Sequence, residues 1–102
     1  MGANMEIAEN IYKQIEGNKL KVMIGVKQFI VMDNGLIINF SAKAKNKAKK
    51  MTIIYDAGKD TYTLSFYKIQ KYEAIMVSSF EDVHAGEINH VFEQETGLRT
   101  KL

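Results

Sequence analysis

The strongest constraint on the fold is the dipeptide Asn34-Gly35, set between two runs that only an extended chain can use. Asn-Gly between β-rich segments marks a tight reversal, so Gln28 to Met32 and Leu36 to Ser41 are expected to form a hairpin through Asp33-Asn34-Gly35. Leu36, Ile38 and Phe40 alternate onto one face, with Ile37 and Asn39 on the other. A second hairpin is predicted from Met51 to Tyr55 and Tyr62 to Ile69, joined by Asp56-Ala-Gly58-Lys-Asp60, whose aspartates and glycine suit a turn. Its inward set would be Met51, Ile53, Tyr55, Tyr62, Leu64 and Phe66. Thr52, Ile54, Thr61, Thr63, Ser65 and Tyr67 would form the reverse face. A fifth strand runs from about Glu73 to Phe80.

Helices flank the strands. Ile7, Ile11 and Ile15 recur every four residues, widened by Ala8 and Tyr12, which predicts an amphipathic helix from about Met5 to Glu16. Asn4 is placed as its cap and Gly17-Asn18 as its stop; Met1 to Ala3 are left out of the fold. Leu20 to Ile24 is too short for period to separate helix from strand, and we favour a helical turn ended at Gly25. Near the other terminus His84 to Thr96 should be helical, capped by Asp82, with Ile88, Val91 and Phe92 buried. Gly97 would take the left-handed position beyond it, and Leu98 would fold back in a Schellman arrangement. The expected architecture is α+β: a meander of four or five antiparallel strands with both helices on one face. The opposite face would then show Ile37, Ile54 and Tyr67 among threonines and serines, a partly apolar surface suited to interaction.

At 102 residues the chain can build one core, so residues 1–102 are read as a single domain. The apolar fraction of 46% and charged fraction of 25% are those of a folded protein. No apolar run approaches the roughly 20 residues of a membrane helix, and no signal segment opens the chain, so a cytoplasmic location is expected. Without cysteine there is no disulfide, thiolate metal site or cysteine nucleophile.

Charge is unevenly laid out. Five lysines, Lys43, Lys45, Lys47, Lys49 and Lys50, fall within eight residues between the second and third strands. Without them nine basic residues face twelve acidic ones, a balance of −3 under an overall +2. Glu81 to Glu95 carries five carboxylates and no lysine or arginine. A flexible basic loop of this kind could contact phosphates or an acidic protein; it could also be a solvated connection, or an edge strand defended by lysine.

Catalytic chemistry is sparsely provided for. His84 and His90 are six residues apart on the last helix, about 600° of rotation, so they do not form a zinc-binding pair. His90 has Glu87 and Glu93 one turn away on either side, which reads more simply as compatible surface charge than as a metal site. Asp56 and Asp60 lack calcium-loop spacing and read as turn formers. Arg99, the only arginine, lies beside Lys101 and is read as solvated surface. The chain has no phosphate-binding glycine loop, nucleophile elbow or dinucleotide fingerprint, so no catalytic residue, metal or cofactor is assigned.

Several segments together carry a resemblance. Ile11-Tyr-Lys-Gln-Ile-Glu-Gly17-Asn18-Lys19-Leu20, Met23-Ile-Gly25-Val-Lys27-Gln-Phe29, Leu36-Ile-Ile-Asn-Phe40, Asp60-Thr-Tyr62-Thr-Leu-Ser-Phe66-Tyr-Lys68-Ile69 and Val91-Phe92-Glu-Gln-Glu-Thr96-Gly97-Leu98-Arg-Thr100-Lys-Leu102 span nearly the whole chain. They are similar to a family of short proteins from bacteriophages and mobile elements that run from a Gly-Asn-Lys/Arg-Phe segment to a terminal Thr-Gly-Leu-x-Thr-x-Leu. Glu16 departs from that pattern, standing where a second glycine is usual, and Leu20 and Arg99 replace aromatics. The resemblance implies a mobile-element context in a bacterial host, a basic stretch between the second and third strands, and no known cofactor.

The expected function is therefore that of a small non-enzymatic accessory protein that binds a macromolecule. Lys43, Lys45, Lys47, Lys49 and Lys50 are the expected contact, with Ile37, Ile54 and Tyr67 as the second surface. A protein partner or self-association ranks first, because the acidic terminal helix would repel a phosphate backbone; nucleic acid ranks second and an enzyme third.

Overall fold

The computed structural model describes residues 2–100, with side chains from Glu6 onward. Two helices, α1 (Gly2–Gln14) and α2 (Gly17–Ile24), precede five strands: β1 (Val26–Met32), β2 (Gly35–Phe40), β3 (Lys50–Asp56), β4 (Thr61–Gln70) and β5 (Glu73–Val83). A 3-10 turn (Ala85–Glu87) then leads into α3 (Ile88–Thr96). The strands form one antiparallel sheet in the order β1-β2-β3-β4-β5, the expected α+β meander. No helix among the described residues is long and apolar enough to cross a membrane.

The core lies between the sheet and the helices. Leu36, Ile38, Phe40, Met51, Ile53, Leu64 and Phe66 supply its floor, and Ile11, Ile15, Leu20, Ile24, Ile88 and Phe92 its roof. Phe92 meets Phe40 and Phe66 with ring centroids 5.6 and 6.2 Å apart, which seats α3 over the sheet. Asn89 Nδ2 donates to Ile15 O at 3.1 Å and ties α3 to the end of α1.

Several boundaries differ from the sequence reading. α1 takes in Gly2 and Ala3, and Asn4 lies inside it, so Asn4 is not its cap. Its end is marked by Glu16 in the left-handed region (φ 53°), while Gly17 begins α2. Glycine at position 17 leaves room for the Tyr12 ring, which a Cβ there would displace. α2 ends at Gly25 as expected. The first hairpin turns at Asp33-Asn34, with Met32 opposite Gly35, and Gly35 is outside the left-handed region. Its glycine serves a different need: a Cβ would collide with the Ile53 carbonyl on β3. Asp82 is not a helix cap either; it sits within β5 at φ 57° and pairs with Lys59 at 3.3 Å. The chain enters the last helical segment at His84, whose N–H donates to Glu87 Oε1 at 3.3 Å. At the far end Gly97 N donates to Glu93 O at 2.9 Å, and Leu98 N to Thr96 Oγ1 at 3.2 Å. That is a single left-handed cap in place of the paired Schellman bonds.

Candidate functional site: the lysine end of the sheet

In a meander the connections alternate between the two ends of the sheet, so register decides which charges meet. At one end lie Lys27 at the start of β1, the 41–49 connection, Lys50 at the start of β3, and Lys68 and Lys71 at the close of β4. At the other lie Asp33, Asp56, Asp60, Glu81 and Asp82, with Lys59 the one lysine among them. Eight of the fourteen basic residues thus share one end. Glu73 pairs with Gln70 next to Lys71, and Glu95 lies 3.5 Å from Asn46 of the connection.

Of the readings open for the lysine-rich connection, a free loop is ruled out: it is docked against the core. Ala44 and Ala48 are buried in the core, Ala48 completely, and they alternate with exposed Lys43, Lys45 and Lys47. Ser41 N and Oγ both reach Gly25 O at 3.0 Å, and Ala42 N reaches Ile24 O at 3.2 Å, which fastens the start of the connection to the end of α2. Lys45 N donates to Thr96 O at 2.8 Å, satisfying a carbonyl that the last turn of α3 leaves open. Asn46 Oδ1 accepts from Ala48 N at 3.0 Å, and Asn46 Nδ2 is 3.5 Å from Glu95 Oε1. Lys49 N bonds Tyr67 O at 2.8 Å, and its ammonium turns inward onto Ser41 O and Ala42 O at 2.9 and 3.3 Å. The physical reason for docking is twofold: small alanines fit the core margin, and the negative end of the α3 dipole attracts N–H groups and lysines. The acidic helix therefore abuts the basic connection.

The five lysines divide accordingly. Lys43, Lys45 and Lys47 form an exposed rim, Lys49 serves the connection itself, and Lys50 stands over the Tyr67 ring at 5.3 Å from the centroid. Ile37, Ile54 and Tyr67 lie on the open face but are half-buried: Ile37 sits between Ile30 and Thr52, Ile54 between Gly35 and Thr63, and Tyr67 between Lys50 and Met76.

The sequence reading runs the fourth strand to Ile69 and begins the fifth at Glu73, close to the observed β4 and β5; what it misses is that their shared tip stands clear of the rest of the sheet. β4 and β5 continue past Lys50, the first residue of β3, through the pairs Lys68–Ile75, Ile69–Ala74 and Gln70–Glu73. Ile69 and Met76 are about half exposed, and Tyr72 at the tip is completely so. Lys71 and Tyr72 both take positive φ, 50° and 69°, the geometry of a type I′ turn usually given to Asn-Gly. The visible signal was the lone Tyr72 among turn-forming charges ahead of the uncharged run Ala74 to Phe80.

The chain matches no family model, no curated protein and no solved structure.

The histidine cluster does not assemble. Glu87 accepts from His84 N, and Glu93 Oε2 accepts from Thr100 N and Oγ1 at 2.8 and 2.9 Å. His90 borders a cleft of about 250 Å³ with Gln14, Glu16, Asn89 and Glu93, where Asn89 and Glu93 are held by structural bonds. Among the described residues no three His, Asp or Glu side chains gather as metal ligands. Shifted ionisation belongs to the acidic end. A hydrogen bond from Tyr55 to Asp60 (2.7 Å) raises the Tyr55 pKa, partial burial and then Asp60 raise that of Tyr62, and Asp82 raises that of Lys59.

Proposed function

We propose that this is a non-enzymatic accessory protein of a mobile element that binds a polyanionic macromolecule, a nucleic acid, through the lysine end of its sheet. The observation that carries the reading is the docked 41–49 connection, which holds Lys43, Lys45 and Lys47 outward beside Lys27, Lys50, Lys68 and Lys71. Charges fixed before binding lose less entropy on contact than charges on a free loop. Glu93 and Glu95 of the acidic helix keep their charge beside the connection, but five other carboxylates lie at the far end of the sheet and the eight lysines outnumber the carboxylates that remain close. An acidic protein partner is the second reading, favoured by the half-exposed Ile69 and Met76 beside the lysines.

The test is fluorescence anisotropy with a labelled 20-nucleotide probe. With about four phosphates neutralised, affinity should fall roughly 50-fold to 150-fold between 50 and 200 mM salt. Changing Lys43, Lys45 and Lys47 together to Glu should abolish binding without altering the circular dichroism spectrum. Absence of binding at low salt, or full binding by the triple variant, would refute the proposal.

A further inference from the structure

The lysine end carries rings as well as charge, and the rings bear on which form of nucleic acid it would accept. Tyr72 is completely exposed at the tip of the β4–β5 hairpin, and Tyr67 lies on the open face of the same hairpin with the Lys50 ammonium against it. Lys68 and Lys71 belong to this hairpin, and the Lys49 amide is bonded to the Tyr67 carbonyl. A duplex buries its base faces in its own stack and offers phosphates to such a surface. A single strand offers phosphates and unstacked bases together, and bases stack on aromatic side chains whatever their sequence.

The tip itself is built at a cost in stability. Outside glycine, a left-handed residue costs about 1–2 kcal/mol, and Lys71 and Tyr72 are both left-handed where Asn-Gly would relieve the strain. Strain of this kind concentrates where a side chain is held for use. The Tyr72 ring has no ring partner among the aromatic pairs of the core, which are Tyr12–Phe29, Phe40–Phe92, Tyr55–Tyr62, Phe66–Phe80 and Phe66–Phe92.

Resting on the polyanion reading above, we infer that the lysine end is specific for single-stranded nucleic acid, with Tyr72 as a base-stacking residue and Tyr67 beside Lys50 as the second platform. Neither residue supports the core, so both can be changed without unfolding the chain.

The experiment compares three probes on the full chain: a 20-nucleotide oligothymidylate, a 20-base-pair duplex, and heparin, a polyanion without bases. The single strand should bind at least about fivefold more tightly than the duplex, the lower limit for one stacked base. Tyr72→Ala should lose at least that factor on oligothymidylate, leave duplex and heparin binding unchanged, and be rescued by Tyr72→Phe. The double variant Lys71→Asn, Tyr72→Gly should melt higher than the parent and lose the single-strand preference. Equal affinity for strand and duplex, or an unaffected Tyr72→Ala, overturns the single-strand inference while heparin binding leaves the polyanion reading standing. Failure to bind any of the three overturns both. Binding to an acidic polypeptide, polyglutamate, in preference to oligothymidylate also overturns the inference.

Discussion

Replacing Asn46 by Ala removes the side chain that fixes the lysine-rich connection, and the cost can be worked from its bonds. Asn46 Oδ1 is the acceptor for Ala48 N at 3.0 Å, and Ala48 is fully buried, so no water can replace the lost partner. An unsatisfied buried N–H costs roughly 1–3 kcal/mol. The contact to Glu95 adds little, since it is long at 3.5 Å and Glu95 keeps the Ser78 hydroxyl at 2.7 Å. The expected loss is about 2 kcal/mol. With an unfolding entropy near 2.1 cal/mol/K per residue, a chain of 102 residues should melt about 9 °C lower. Thermal unfolding by circular dichroism measures this, with exposed Lys43→Ala as a control expected within about 0.5 kcal/mol of the parent. Amide exchange supplies the local readout: Lys45 and Ala48 amides should be protected in the parent and lose protection in Asn46→Ala. If the variant melts within about 2 °C of the parent, or if those amides exchange freely in the parent, the docked connection is wrong.

Other consequences follow from single residues. Glu16→Gly should raise stability by roughly 0.5 kcal/mol in denaturant melts, because relief at φ 53° exceeds both the unfolded-state entropy of glycine and the exposed Glu16–Lys19 pair. Phe92→Ala should cost about 3–5 kcal/mol and detach α3 from Phe40 and Phe66, visible as lost near-ultraviolet dichroism. Alkaline pH should destabilise the fold: Tyr55, Tyr62 and Lys59 all have raised folded-state pKa values, so the native state retains protons that the unfolded chain releases as pH passes its ordinary values of 10.0 and 10.5. Tyrosinate absorbance of Asp60→Asn should show Tyr55 and Tyr62 ionising at lower pH than in the parent.

The sheet was legible because its information is local. Alternation in Leu36 to Phe40 and Met51 to Phe66 names the buried face, and turn residues between the runs dictate a meander. Turn chemistry was less legible, since Gly35 is demanded by the approach of the Ile53 carbonyl, a contact distant in sequence. The same holds for Glu16, Asp60, Lys71, Tyr72 and Asp82, each left-handed without being glycine. The lysine run showed its charge in the sequence and hid its anchoring, because Ala44 and Ala48 are small enough to pass as loop residues while being core. Gathering of Lys27, Lys68 and Lys71 beside that run depends on which end each strand begins, and only the full strand order supplies that.

The most direct test of the lysine end as the contact surface is an amide chemical-shift map of the labelled protein titrated with oligothymidylate at low salt. Shifts should concentrate at Lys27, at Lys43 to Lys50 and at Lys68 to Tyr72, leaving Asp33, Asp56 to Asp60 and Glu81 unmoved. Shifts centred on the acidic end or on the His90 cleft, or none at all, would contradict the account.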